Sequence, residues 1–251
     1  MMSKLMVCGL AAAAAVGIVA TAPASADISQ VVLRIEASNA NGTGAWNAMI
    51  NTGEFGPDGT YSWTLSSPVE IRSTSGALLA TLTSGSTYIV EDPLVSLGFS
   101  VQAGGMDTTF QITSALLSFP GINPAEGRVS GGITGTDITG DGVSLTGVSG
   151  ASMISAQHDG IVPTGTTFAD LIAGPLTTMD AFGSVSASEA SPASGFTPIG
   201  GTVSDISLRY AFTLTAGDIA SGTATFVVLP APGAAGVLAL AGVAALRRRR
   251  R

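Results

Sequence analysis

The chain has 251 residues, of which 45% are hydrophobic and 11% are charged, and its formal net charge is −7. Residues 27–229 hold all 17 Asp and Glu residues but only four arginines and no lysine, so this segment alone carries a formal charge of −13. Such an acidic surface repels nucleic acid and anionic lipid, and the single cysteine, Cys8, leaves the rest of the chain without disulfides or thiolate metal sites.

The N-terminus has the order of features that signal peptidase requires. Lys4 precedes an apolar run over residues 5–20, and Ala24 and Ala26 supply the small side chains of a cleavage site. We therefore predict that residues 1–26 are a signal peptide and that signal peptidase cleaves after Ala26. The alternative, a buried N-terminal helix, does not explain why charge, apolar run and small residues occur in this order.

The body of the chain, residues 27–229, has the pattern of an all-β protein. Apolar side chains recur at every second residue, which places them on one face of a half-buried strand. The clearest runs are Tyr61-Trp63-Leu65, Val95-Leu97-Phe99-Val101, Ile206-Leu208-Tyr210-Phe212-Leu214 and Ala224-Phe226-Val228. Shorter candidates are Leu33-Ile35, Val69-Ile71, Phe110-Ile112 and Val143-Leu145. We predict one antiparallel β-sandwich or jelly-roll-like domain, with two small sandwiches as the alternative.

Glycine-containing pairs predict the turns between these strands. They are Asp58-Gly59, Ser75-Gly76, Ser84-Gly85, Gly104-Gly105, Asp141-Gly142 and Asp159-Gly160. One helix is predicted near residues 167–173, because Thr167 and Asp170 have the spacing of a capping box and Gly174-Pro175 would end the helix. Residues 184–201 are rich in Ser, Ala, Gly and Pro, which predicts a long loop, or alternatively an interdomain linker.

His158 is the only histidine, and Asp159 follows it. Neighbouring residues on an extended chain point to opposite faces, so we expect Asp159 to be poorly placed to orient His158 as in a Ser-His-Asp site. The sequence Gly-x-Ser-x-Gly, which marks the nucleophile of many hydrolases, does not occur. We therefore predict a polar turn here, no catalytic residues and no enzymatic activity.

Residues 131–142 alternate Gly with Thr and Asp and resemble calcium-binding repeats in composition. Asp137 and Asp141 are weak candidates for metal ligands, because a hard cation needs several converging oxygens and only these two carboxylates occur locally. The spacing fits neither the nonapeptide repeat nor the EF-hand loop, and a pair of tight turns explains these residues equally well. We predict no cofactor.

Aromatic residues offer a second candidate site. Several of them exposed together would form a platform on which sugar rings stack, although aromatic residues in alternating strands more often belong to the core. The five candidates are Trp46, Tyr61, Trp63, Tyr88 and Tyr210.

The C-terminus combines prolines, an apolar run and arginines. Residues 233–246 contain no charge, and we predict that they form a C-terminal transmembrane helix. Its length of about 21 Å, at roughly 1.5 Å per residue, is short for a hydrocarbon core of ~30 Å, although arginine side chains can snorkel and relieve part of the mismatch. The positive-inside rule predicts that the terminal arginines stay cytoplasmic and that the body lies outside the membrane. These arginines are Arg247, Arg248, Arg249, Arg250 and Arg251. A core helix and a nucleic-acid-binding tail are the alternatives.

A short proline motif, Pro230-Ala231-Pro232-Gly233, precedes this apolar run. The tail, residues 230–251, resembles the PEP-CTERM sorting signal, with Ala231 where that family has a central glutamate. The resemblance implies transient membrane retention, processing near the motif by an exosortase-type enzyme, and delivery to the cell surface or the extracellular matrix.

Together these features predict an exported structural protein of the cell surface or extracellular matrix. The alternative is a glycan- or calcium-binding module of the same matrix, with extracellular polysaccharide as its partner. The two hypotheses differ in whether the body carries a concave binding surface.

Overall fold

The computed structural model describes residues 26–50, 55–161 and 164–231. Most of the predicted signal peptide, including Ala24, therefore lies outside the described residues. So do Pro232, Gly233, the predicted helix at 233–246 and the five terminal arginines. Within the described ranges, no helix is long and apolar enough to cross a membrane.

Eighteen strands and one short 3-10 turn, Val148–Gly150, make up the regular structure of the described residues. The strands in chain order are β1 Asp27–Ile28, β2 Val31–Asn39, β3 Gly42–Met49, β4 Thr60–Thr64, β5 Val69–Arg72, β6 Leu78–Val90, β7 Leu94–Ala103, β8 Thr108–Ser114, β9 Leu117–Ile122, β10 Ala125–Thr136, β11 Val143–Gly147, β12 Ile154–His158, β13 Thr166–Leu171, β14 Leu176–Thr178, β15 Ser184–Ser191, β16 Thr197–Ile199, β17 Val203–Leu214 and β18 Ile219–Pro230. The all-β prediction is confirmed.

The strands form two antiparallel sheets that face each other. The first sheet has β17 at its centre, with β8 and β9 along one edge of that strand and β11 and β12 along the other. It is completed by β1, β2 and β3 on one side and by β13 and β14 on the other. The second sheet has the order β15-β10-β18-β7-β6-β4, with β16 and β5 at its edges. Both sheets combine strands from the early and late parts of the chain.

Aromatic rings fill the space between the sheets. Phe212 of β17 stacks on Phe110 of β8 and Phe99 of β7, with ring centroids 5.4 and 5.8 Å apart. Tyr210 meets Phe99 edge-on at 4.7 Å. Gly222 allows this contact, because a Cβ atom there would lie 2.8 Å from the Phe99 ring. Alternation therefore predicted the inward faces of these strands correctly.

The strand register places both ends of the described chain at the same end of the sandwich. Asp27 pairs with Ser118, which pairs with Asp205 near the start of β17, and Pro230 pairs with Ala125 at the start of β10. We call this the terminal end. The opposite or distal end lies one β18 length away, about 36 Å at ~3.3 Å per residue. It carries the β7–β8, β10–β11, β14–β15 and β17–β18 turns.

The predicted helix at 167–173 is wrong, because residues 166–171 form strand β13, which pairs with β12. Phe168 packs on Phe226 of the second sheet with ring centroids 5.0 Å apart. Asp170, which was expected to cap a helix, accepts a hydrogen bond from Ser155 instead. Tertiary pairing overrides a local capping pattern, as is common for short segments.

The loop predicted at 184–201 is also wrong over most of its length. Strand β15 pairs with β10 through eight residues, and β16 pairs with β10 as well. An edge strand is held by backbone hydrogen bonds and needs few bulky side chains, which explains its unusual composition. The turn predicted at Ser84-Gly85 is instead a register shift inside β6. Gly85 makes room there for the side chains of Leu33 and Trp63.

Candidate functional site

Asp137 is the most constrained polar residue of the distal end. It begins the β10–β11 turn and is only 1% exposed. Its Oδ1 atom accepts hydrogen bonds from the backbone N–H groups of Thr139 and Gly140 at 2.9 and 2.8 Å. Its Oδ2 atom accepts from the N–H groups of Gly142 at 3.0 Å and Phe182 at 2.8 Å. One carboxylate therefore ties the β10–β11 turn to the β14–β15 turn.

These contacts determine the charge of Asp137. Burial raises the pKa of this carboxyl, but the N–H groups of Gly140, Gly142, Phe182 and Thr139 lower it more strongly. The net result is a pKa well below the ordinary range of aspartate. Asp137 is therefore ionised throughout the physiological pH range, and its charge is met by aligned backbone donors.

Two further carboxylates lie beside it. Asp141 is exposed and Asp218 is fully buried, and each brings an oxygen to within 4.8 Å of an Asp137 oxygen. Burial raises the pKa of Asp218; hydrogen bonds from Thr215 and Ile138 lower it, and the neighbouring Asp137 and Asp141 raise it further. The three residues form an acidic cluster.

The acidic cluster contains both weak metal candidates that the sequence predicted. Asp218 was missed because its distance along the chain gives no spacing signal; the pairing of Thr136 with Ile219 brings it next to Asp137. Three carboxylates suit a hard cation chemically. However, each Asp137 oxygen already accepts hydrogen bonds from two backbone N–H groups. The main role of this carboxylate is therefore to hold the two turns together.

His158 lies at the end of β12 and is 7% exposed. Its Nδ1 atom is 2.8 Å from Oδ2 of Asp159, so the expectation that Asp159 is poorly placed is wrong. Asp159 has a φ of 54°, which turns the chain out of its extended path and brings the two side chains together. The nearby buried hydroxyl of Ser207 donates to the carbonyl oxygen of Gly160. The arrangement is that of a closed polar turn.

The five aromatic residues do not form one platform. Tyr210 is fully buried, and its hydroxyl donates to the carbonyl oxygen of Gly132 at 3.0 Å. Trp46 and Trp63 lie 6.1 Å apart and line a cleft of about 300 Å³, but both also pack against the core. Tyr61 packs against the core as well, whereas Tyr88 is 45% exposed.

The outer face of the second sheet carries a groove that sequence reasoning missed. It encloses about 660 Å³, and no charged side chain of the described residues lines it. Small and hydroxyl-bearing residues form a row across six strands, in the order Thr64, Ser86, Gly98, Thr223, Gly132 and Ser188. The alternation of Ser and Thr along each strand is a weak signal for it. The groove suits a neutral ligand rich in hydroxyl groups.

The structure describes two residues of the predicted sorting motif, Pro230 and Ala231. Pro230 is the last residue of β18 and pairs with Ala125, and the N–H group of Ala231 donates to the carbonyl oxygen of Pro124 at 2.9 Å. The motif therefore begins inside the folded sheet at the terminal end.

No protein-family model matches the sequence, and no curated protein matches it. Among solved structures, the adhesin domain of Epf from Streptococcus pyogenes is 8% identical, with a TM-score of 0.33; the alignment covers 82% of this chain and 64% of that one. The enzymatically active domain of tailspike protein 4 from bacteriophage CBA120 is 11% identical, with a TM-score of 0.29; the alignment covers 68% of this chain and 20% of that one. The chain thus spans less than two thirds of either structure.

Proposed function

We propose that this protein is an exported structural protein of the cell surface or extracellular matrix, sorted through its C-terminal tail. The observation that carries the proposal is the order of features from the end of β18 onward: the Pro230-Ala231-Pro232-Gly233 motif, the uncharged run at 233–246 and the five terminal arginines. The acidic β-sandwich, with its formal charge of −13 over residues 27–229, supports it, since such a surface keeps a protein soluble outside the cell.

The fold supports two particular cleavage positions. Asp27 and Pro230 lie at the same end of the sandwich, so a chain held by its tail would extend the distal end away from the membrane. Signal peptidase would release the N-terminus after Ala26. An exosortase-type enzyme would act after Ala231, because Pro230 and Ala231 are bound into the sheet and a cut after them leaves these contacts in place. Both cuts leave every strand of the sandwich intact.

The proposal predicts two new chain ends. When the full-length chain is produced in its native cells, mass spectrometry of its terminal peptides is expected to show an N-terminus at Asp27 and a C-terminus at or near Ala231. The processed chain is expected in the envelope or the medium. Replacing Pro230 and Pro232 with alanine should leave a longer, membrane-associated chain, whereas replacing Pro93 and Pro198 in the body should not change processing. Recovery of the intact 251-residue chain from the cytosol contradicts the proposal.

The hydroxyl-lined groove favours a second candidate function, binding of a neutral extracellular polysaccharide. Serine and threonine hydroxyls both donate and accept hydrogen bonds, which suits a polymer of sugar hydroxyls. Such a function is compatible with a place in the matrix.

Affinity electrophoresis of the full-length chain through gels containing dextran, a neutral polysaccharide, tests this candidate. We expect dextran to retard the wild type, and Thr223→Tyr to abolish the retardation because the new ring fills the groove. Thr43→Tyr places the same ring on an exposed position of the first sheet and should be retarded like the wild type. Identical migration of all three proteins, with and without polysaccharide, contradicts glycan binding in the groove.

A further inference from the structure

Three large apolar side chains are exposed on two adjoining turns of the distal end, β10–β11 and β14–β15. Ile138 belongs to the β10–β11 turn and is 41% exposed. Met179 and Phe182 belong to the β14–β15 turn and are 85% and 71% exposed. We call these three residues the apolar tip. Soluble proteins seldom expose neighbouring large apolar residues unless they contact a partner.

The backbone of Phe182 adopts a strained conformation in this turn. The N–H group of Gly183 donates to the carbonyl oxygen of Asp180 at 2.8 Å, which closes a four-residue turn. Phe182 occupies the third position with a φ of 59°, a conformation that favours glycine or asparagine. A bulky residue there costs free energy, and strain of this kind concentrates at functional sites.

The tip is also held in place before any partner arrives. Asp137 accepts the N–H group of Phe182 and those of Gly140 and Gly142, so both turns share one buried anchor. The Phe182 ring lies on the β10–β11 turn, since a Cβ atom on Gly140 would be 3.0 Å from its Cζ atom. A surface that is ordered in the free protein loses less entropy on binding.

Charge around the tip selects the kind of partner. Asp141 and Asp180 are exposed in the same two turns as the tip. The guanidinium of Arg72, among the described residues of the distal end, is already paired with the carboxylate of Glu70 at 2.7 Å. It therefore does not neutralise Asp141 or Asp180. A second copy of the chain would bring the same carboxylates face to face, and an anionic lipid surface would repel them. A partner with basic groups would be attracted.

We propose that the apolar tip is a docking site for a partner protein, inserting into an apolar pocket rimmed by lysine or arginine. The tip lies opposite both ends of the described chain, so a protein held at its terminal end presents the tip outward. The inference stands on the geometry of the turns and does not depend on how the chain is exported or processed.

A surrogate for such a pocket tests the proposal directly. The probe is a labelled 14-residue helical peptide with leucine on one face and lysine on the other, and its binding to the full-length chain is followed by fluorescence anisotropy at low and moderate salt. The double variant Met179→Ser/Phe182→Gly is expected to bind it about tenfold more weakly than the wild type. Phe182→Gly suits the positive φ, so the variant should melt no lower than the wild type.

Matched controls distinguish binding at the apolar tip from nonspecific binding of the peptide elsewhere on the protein. Met49 is 56% exposed at the other end of the sandwich, so Met49→Ser should bind like the wild type. A peptide with serine in place of leucine should bind weakly and equally to all variants. Asp180→Asn should weaken binding of the leucine–lysine peptide and its salt dependence. Equal binding by wild type and double variant overturns the proposal. So does tip-dependent binding to phosphatidylcholine vesicles, or tip-dependent self-association.

Discussion

Replacing Phe212 with alanine is expected to lower the free energy of unfolding by about 3–5 kcal/mol, the usual cost of removing a buried phenylalanine. Phe212 is fully buried on β17, the central strand of the first sheet, and it stacks on Phe110 and on Phe99 of the opposite sheet. Its loss leaves a cavity between the sheets where the rings of β17, β8 and β7 meet. Urea titration followed by tryptophan fluorescence measures the change.

Phe196→Ala is the matched control, because Phe196 is 39% exposed and its removal opens no internal cavity. We expect it to cost less than about 1 kcal/mol. If both variants unfold at the same urea concentration, the aromatic stack between β17, β7 and β8 is not what holds the two sheets together.

The alternation of apolar residues identified the strands that bury bulky side chains, but not the strands with which they pair. The run from Ile206 to Leu214 predicted β17 because each inward residue is large. Period-two patterns give the face of a strand and say nothing of its partner, so the central place of β17 could not be predicted. Strand β15 was not predicted, because its side chains are small and its position depends on backbone pairing with β10.

The distal turns show a similar limit. Asp137 and Asp141 could be singled out from composition, whereas Asp218 joins them only through the pairing of β10 with β18. The positive φ of the β14–β15 turn falls on Phe182, although a glycine, Gly183, is the next residue. The Phe182 N–H group donates to Asp137 in this conformation, a contact between residues far apart in the chain that local propensity does not reveal. Local propensity therefore describes the strands better than the candidate site.

Replacing Asp137 with alanine is expected to lower the melting temperature by roughly 10 °C. The substitution leaves the N–H groups of Thr139, Gly140, Gly142 and Phe182 without their acceptor, and both turns of the distal end lose their common anchor. Asp141→Ala removes an exposed carboxylate from the same turn and should change the melting temperature by only about 2 °C. Differential scanning calorimetry of the full-length chain compares the two.

The pH dependence of Asp137→Asn separates the charge of this anchor from its shape. The folded protein holds the pKa of Asp137 well below the ordinary value of about 3.9, so the ionised carboxylate stabilises the fold fully above that value. As the pH falls below it, the unfolded chain takes up a proton first and the contribution is lost. The wild type should therefore melt higher than the variant at pH 7, and the difference should shrink between about pH 4 and pH 2. A difference that stays constant over this range would show that the four N–H groups need only an oxygen acceptor and not a negative charge, and the apolar tip would then be held by hydrogen-bond geometry alone.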